Sequence, residues 1–260
     1  ANVEKHICPN TKLVHVETPT NPLLELCNLE ATSAICKKAD IYLSVDNSFM
    51  SPYGQRPLDL GVDVVMQSST KSLSGHSDIL GGVLTTNDDD LDERLRFLLK
   101  ATGGVPSPFD NWILLRSTKT LGLRYQKSTD NAAELATWLC KQKGLDRVLY
   151  PGLNSHPQHE IAVKQQRSPS GDVIFGNMIS IDIGSIDARD RFLERIEVFT
   201  LAESLGAVES LVCVPYNMTH AAIPEDVKLE MGITETLIRL SIGIEDVADL
   251  KADLQNALGN

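Results

Sequence analysis

The sequence predicts an α/β protein, a mainly parallel sheet followed by a smaller α+β portion. Three observations lead there. The first half alternates short β-branched runs with helical stretches, and strand–helix–strand order favours parallel strands with helices on both sides. Those runs are near-continuously apolar, the pattern of strands buried on both faces. From about residue 124 the rhythm changes and strands cease to be spaced by regular crossovers. Domains at 1–123 and 124–260 follow.

Leu13–Glu17 reads as a strand, and Leu24–Lys38 as a helix closed by Lys37 and Lys38 at its negative end. Ile41–Val45, Val62–Gln67 and Ile79–Thr85 are the next strands. Asp88–Asp90 precedes Leu91, Leu95, Leu98 and Leu99, which is a capped helix with apolar residues at helical spacing. Gly103-Gly104-Val105-Pro106 and Pro108 break the chain. Asn111–Lys141 is long helical material, broken near Gly122. Met178–Ile183 alternates as a half-buried strand, and Ala188–Phe199 is a helix. Leu211–Val214 and Leu237–Ile242 are strands, and Val247, Leu250, Leu254 and Leu258 share one face of a last helix.

The 260 residues carry a net charge of −11 and are 42% hydrophobic and 23% charged. That is the composition of a folded chain, and the acidic balance argues against binding nucleic acid or an anionic membrane. No apolar run approaches the roughly 18–20 residues that span a bilayer. Cys8, Cys27, Cys36, Cys140 and Cys213 are scattered without a C-x-x-C, which fits reduced thiols in a cytoplasmic protein. His76, His156, His159 and His220 are too dispersed for a metal set.

Several polar residues fall at strand ends, the edge where open α/β sheets bind ligands. Ser68-Ser69-Thr70-Lys71 follows a buried strand. A partly desolvated lysine there has a lowered pKa and can attack a carbonyl to form a Schiff base, while Ser68 and Thr70 can hold a phosphate. Taken alone, Lys71 reads as a solvated loop lysine among small polar residues. Asp46 ends the second strand and can pair with a protonated ring nitrogen, or simply cap a turn. Glu17-Thr-Pro-Thr-Asn-Pro22 is a stiff turn able to present Asn21. Arg239 sits inside an apolar strand, either as a bidentate clamp for a carboxylate or as an outward-facing edge residue.

These pieces occur in one order: Glu17–Pro22, Val45-Asp46-Asn47, Ser68–Lys71 with Gly75-His76-Ser77-Asp78, Ala202-Glu-Ser-Leu-Gly206, Met218-Thr-His-Ala221 and Ile238-Arg-Leu-Ser-Ile-Gly-Ile-Glu-Asp246. Together they resemble the cystathionine γ-lyase / γ-synthase / β-lyase family over residues 11–257. The resemblance implies an aminotransferase-like fold (fold type I), pyridoxal phosphate and a homotetramer built of active dimers. It also implies that Lys71 is the Schiff-base and catalytic residue, Asp46 the pyridinium partner, and Ser68 and Thr70 phosphate contacts. Asn21 would lie near the cofactor's phenolic oxygen and the substrate, with Arg239, Ser204 and Glu203 as further substrate contacts. The expected activity is α,γ-elimination of L-cystathionine to cysteine, 2-oxobutyrate and ammonia, Glu203 meeting the distal amine. Cystathionine γ-synthase and β-lyase are the enzyme alternatives. The family's N-terminal portion is not found before Thr11, so a fragment, or a non-catalytic interaction subunit, is a further expectation.

Overall fold

A computed structural model describes residues 3–259. A short helix α1 (Val3–His6) leads into β1 (Leu13–Glu17), α2 (Leu29–Lys38), β2 (Tyr42–Asp46), a helical turn α3 (Ser51–Gly54), β3 (Val64–Ser68) and β4 (Gly82–Thr85). Helices α4 (Asp89–Thr102), α5 (Pro108–Thr118) and α6 (Leu121–Leu139) carry the chain to β5 (Arg147–Leu149). Then come α7 (His159–Gln165), β6 (Met178–Asp182), α8 (Ile186–Arg195), β7 (Thr200–Leu201), β8 (Leu211–Cys213), α9 (Glu225–Met231), β9 (Leu237–Ser241) and α10 (Val247–Leu258).

The strands form two sheets, β1-β2-β3-β4 and β5-β6-β9-β8-β7. In the first, β1, β2 and β3 are parallel, with Glu17 in register with Asp46 and Asp46 with Met66. Their carboxyl ends therefore lie side by side, and Glu17, Asp46 and Ser68 share one edge. β4 is antiparallel to β3. The connecting residues 69–81 form a single π-helical turn, Ser69–Leu73, and a loop, whereas a parallel return needs a crossover of a dozen or more residues, usually a full α-helix.

Burial in this sheet alternates, with Leu43, Val45 and Val65 inside, where burial on both faces was expected. One face packs on α2 through Leu29 and Cys36. The predicted helix Leu24–Lys38 begins only at Leu29. Leu24 has φ +60, and the Asn28 side chain caps the helix by accepting from the Ala31 N–H at 3.0 Å. The chain break expected near Gly122 falls at Lys119 and Thr120. α4 forms as predicted, capped by Asp88, yet it buries no residue, because it follows the edge strand β4, whose side chains are mostly exposed.

The second sheet is antiparallel apart from β7–β8. Its central strand β9 is buried throughout. Ile238 and Leu240 join Leu135, Ile179, Phe192, Leu250 and Leu254 in one core under α6, α8 and α10. Strand alternation then turns Leu237, Arg239 and Ser241 to the opposite face, toward the first sheet. β6 is buried rather than half-buried, since it lies inside the sheet beside β9. The predicted helix 188–199 runs Ile186–Arg195 instead, starting at a Ser185 cap.

Candidate active site

The carboxyl edge of the first sheet and the buried face of β9 enclose a cavity of about 520 Å³. Lys71, Asp46, Ser68, Thr70, Asn21, Arg239, Ser204 and Glu203 all line it, so every site residue expected from the sequence comes to one place. Glu17, Ser48, Phe49, Leu80, Leu205 and Thr219 complete the wall.

Lys71 sits in a tight turn, Ser69–Leu73, with non-helical backbone (φ −89, ψ −136). Arg124 of α6 fixes that turn. Its guanidinium donates to the Ser72 carbonyl at 2.9 Å, the Leu73 carbonyl at 3.2 Å and the Ser117 carbonyl at 3.0 Å. It occupies the space a side chain at Gly75 would need, only 2.0 Å from an added Cβ, and Gly75 also has φ +72. Glycine is the residue that satisfies both demands. Lys71 Nζ donates to Ser204 Oγ at 3.4 Å. Burial above all, then the Arg239 charge, pulls its pKa below the usual lysine value, and Glu203 opposes them. An amine so placed is a better nucleophile near neutrality.

Asp46 accepts from the Ser48 N–H at 2.9 Å, and Ser48 Oγ accepts from the Ser68 N–H at 2.7 Å. Ser48 thus ties two strand ends together. Thr70 Oγ1 accepts from the Gly81 N–H at 3.1 Å.

Arg239 is 1% exposed. It donates to Asn21 Oδ1 at 2.8 Å, to the Glu203 carbonyl at 2.6 Å and to the Ser204 carbonyl at 3.1 Å. Its Nε is buried without a partner. The outward-facing alternative is thereby excluded: β9 is central, and its Arg239 face looks into the molecule. Because Asn21 Oδ1 takes the Arg239 proton, the Asn21 amide has its N–H groups left to offer.

Glu17 ends β1, in register with Asp46. Burial first, and the Asp46 charge second, push its carboxyl up to about 7, against the pull of the Asn21 backbone and Arg239. A folded-state pKa above the unfolded value adds stability that is complete below about 4.5 and is lost as pH rises through about 7. Glu17→Gln should therefore flatten the loss of stability between pH 5 and 8. At pH 8 the variant should gain up to about 3 kcal/mol in denaturant unfolding. Parallel pH slopes in the two proteins would remove Glu17 from this role. The signal that finds Glu17 is its place at the end of a strand beside Asp46.

The donor set suits pyridoxal phosphate: an amine with lowered pKa, a carboxylate at a parallel strand end, hydroxyls at the strand end and adjoining turn, and a buried guanidinium around one cavity. Site and fold thus define an α/β protein built around a lysine–aspartate pair. The chain belongs to the family described as Cys/Met metabolism PLP-dependent enzyme, whose sequence model matches residues 1–259. It is 50% identical over 258 residues to a cystathionine gamma-lyase of Bacillus subtilis, covering 99% of this chain and 66% of that one. A cystathionine beta-lyase of Lactococcus lactis is 46% identical over 248 residues, covering 95% and 64%. The crystal structure of a cystathionine gamma-lyase from Lactobacillus plantarum, complexed with L-serine, matches with TM-score 0.94 and 42% identity, covering 99% and 66%. The chain thus spans just under two thirds of the length of these relatives. Among the described residues no helix is long and apolar enough to cross a membrane.

Proposed function

We propose that this chain carries the reacting residues of a carbon–sulfur lyase that removes the γ-substituent of L-cystathionine, giving cysteine, 2-oxobutyrate and ammonia with uptake of water. One observation carries the reading: Lys71 Nζ and Arg239 Nη2 both hydrogen-bond to Ser204, through its hydroxyl and its carbonyl. A substrate whose α-carboxylate is gripped by Arg239 therefore brings its Cα within reach of the Lys71 amine.

When bound, pyridoxal phosphate supplies an electron sink for the charge left at Cα. Lys71 would anchor the cofactor, Asp46 would keep its ring nitrogen protonated, Ser68 and Thr70 would hold its phosphate, and Asn21 would offer an N–H to its phenolic oxygen. Lys71 Nζ, when not bonded to the cofactor, would take the Cα proton and then a Cβ proton, and would return a proton to the sulfur as it leaves Cγ. Arg239 and Ser204 hold the α-carboxylate end, and the Glu203 carboxylate faces the distal amine. Residues 1–123 form the cofactor-binding part of an aminotransferase-like fold and 124–260 a smaller α+β domain. Assembly as a cytoplasmic homotetramer goes with this reading, supported by the exposed apolar side chains Phe97, Phe109, Trp112 and Leu115 of α4 and α5.

Product analysis with L-cystathionine tests the proposal. Cysteine and 2-oxobutyrate are expected, whereas homocysteine and pyruvate would replace the reading by β-elimination. Glu203→Ala should raise KM for cystathionine about tenfold more than KM for a thioether lacking the distal amine, the worth of a charged hydrogen bond. Equal effects on the two substrates would remove Glu203 from amine recognition.

A further inference from the structure

His220 lies in the loop between β8 and α9 and reaches back to the first half of the chain. Its Nε2 is 3.2 Å from the Asn21 carbonyl oxygen and its Nδ1 is 2.8 Å from Thr219 Oγ1. A carbonyl only accepts, so Nε2 carries the proton. Burial first, with the Arg239 and Lys228 charges also acting, pulls the His220 pKa below its usual value against the Asn21 contact. The ring is therefore neutral and Nδ1 presents a bare lone pair. Thr219 must give its hydroxyl proton to it.

Thr219 also lines the cavity. With its proton committed to His220, it turns only oxygen lone pairs inward. Its other neighbour is the Cys213 thiol, which burial holds protonated. Thr219 and Glu203 line the same cavity.

We propose that His220 is a positioning residue that fixes Thr219 as a hydrogen-bond acceptor, and that Thr219 Oγ1, together with the Glu203 carboxylate, receives the distal ammonium of a diamino thioether substrate. This rests on the cystathionine reading above. An ammonium has three donors and no acceptor, so two acceptors at different angles grip it better than one. A freely rotating hydroxyl would serve a donor or an acceptor equally well. A hydroxyl locked as acceptor discriminates against a substrate bearing a carboxylate at that place.

The test is a double-mutant cycle on the holoenzyme with cystathionine and with an S-alkyl homocysteine lacking the distal amine. Thr219→Val and His220→Leu should each raise KM for cystathionine about tenfold more than KM for the mono-amine. The double variant should be no worse than either single one, because both remove the same interaction. His220→Asn, whose amide oxygen falls near the Nδ1 position, should restore most of the discrimination. In 15N-histidine-labelled protein, the His220 signals should show Nδ1 unprotonated and Nε2 protonated. Multiplicative losses of about a hundredfold, equal effects on the two substrates, or the opposite tautomer would each overturn the proposal. Absence of cystathionine turnover by the unaltered enzyme would overturn the substrate reading and this inference with it, and it is told apart by the wild-type arm alone.

Discussion

Lys71→Ala is expected to lower turnover at least about a thousandfold while leaving the fold intact. The side chain makes one long hydrogen bond, 3.4 Å to Ser204 Oγ, and packs in no core cluster, so its removal disturbs little structure. Its chemistry has no substitute in the cavity. The remaining cations of the wall reduce to Arg239, which is tied to Asn21, Glu203 and Ser204. Borohydride treatment followed by peptide mapping should mark the peptide holding Lys71 in the wild type and nothing in the variant. A variant with normal melting and an undiminished rate would take Lys71 out of the mechanism.

Arg239→Lys is expected to weaken substrate binding by about 2 kcal/mol or more, roughly thirtyfold in KM, despite conserving charge. The guanidinium serves Asn21 Oδ1 and two backbone carbonyls through Nη1 and Nη2, with Nε buried and unpartnered. An ammonium on a flexible stem reaches some of these partners and strands the rest in a buried place. The same change should lower thermal stability, because β9 is the central strand of its sheet. A shifted melting temperature with unchanged KM would assign Arg239 to the scaffold alone.

Much of this was legible in the sequence. Leu13–Glu17 forms the strand its apolar run announces, and Lys71 and Asp46 stand at the strand ends where their spacing puts them. Local pattern failed where a distant contact decided the outcome. The Leu24–Cys27 stretch carries apolar residues that suggest helix, yet Thr18 Oγ1 holds the Cys27 N–H at 3.0 Å and Thr20 Oγ1 holds the Glu25 N–H at 3.1 Å, so the chain turns instead. The direction of Arg239 was undecided because alternation alone does not say which face of a strand meets the rest of the molecule. Arg124 was missed since its partners Ser72 and Leu73 lie some fifty residues away, and His220 since Asn21 lies 199 residues away.

The cavity is shared between the two sheets, with β1–β3 supplying one wall and β9 and its loops the other. The first half of the chain supplies Lys71, Asp46, Ser68, Thr70 and Asn21, and the second half supplies Arg239, Ser204 and Glu203. New specificity in such an architecture does not arise by shuffling whole modules, because exchanging either half discards the clamp or the amine. Substitution of single wall residues within a shared frame keeps both. Relatives named gamma-lyase and beta-lyase stand at nearly the same distance from this chain, 50% and 46% identical. That is the pattern of divergence such a frame leaves open.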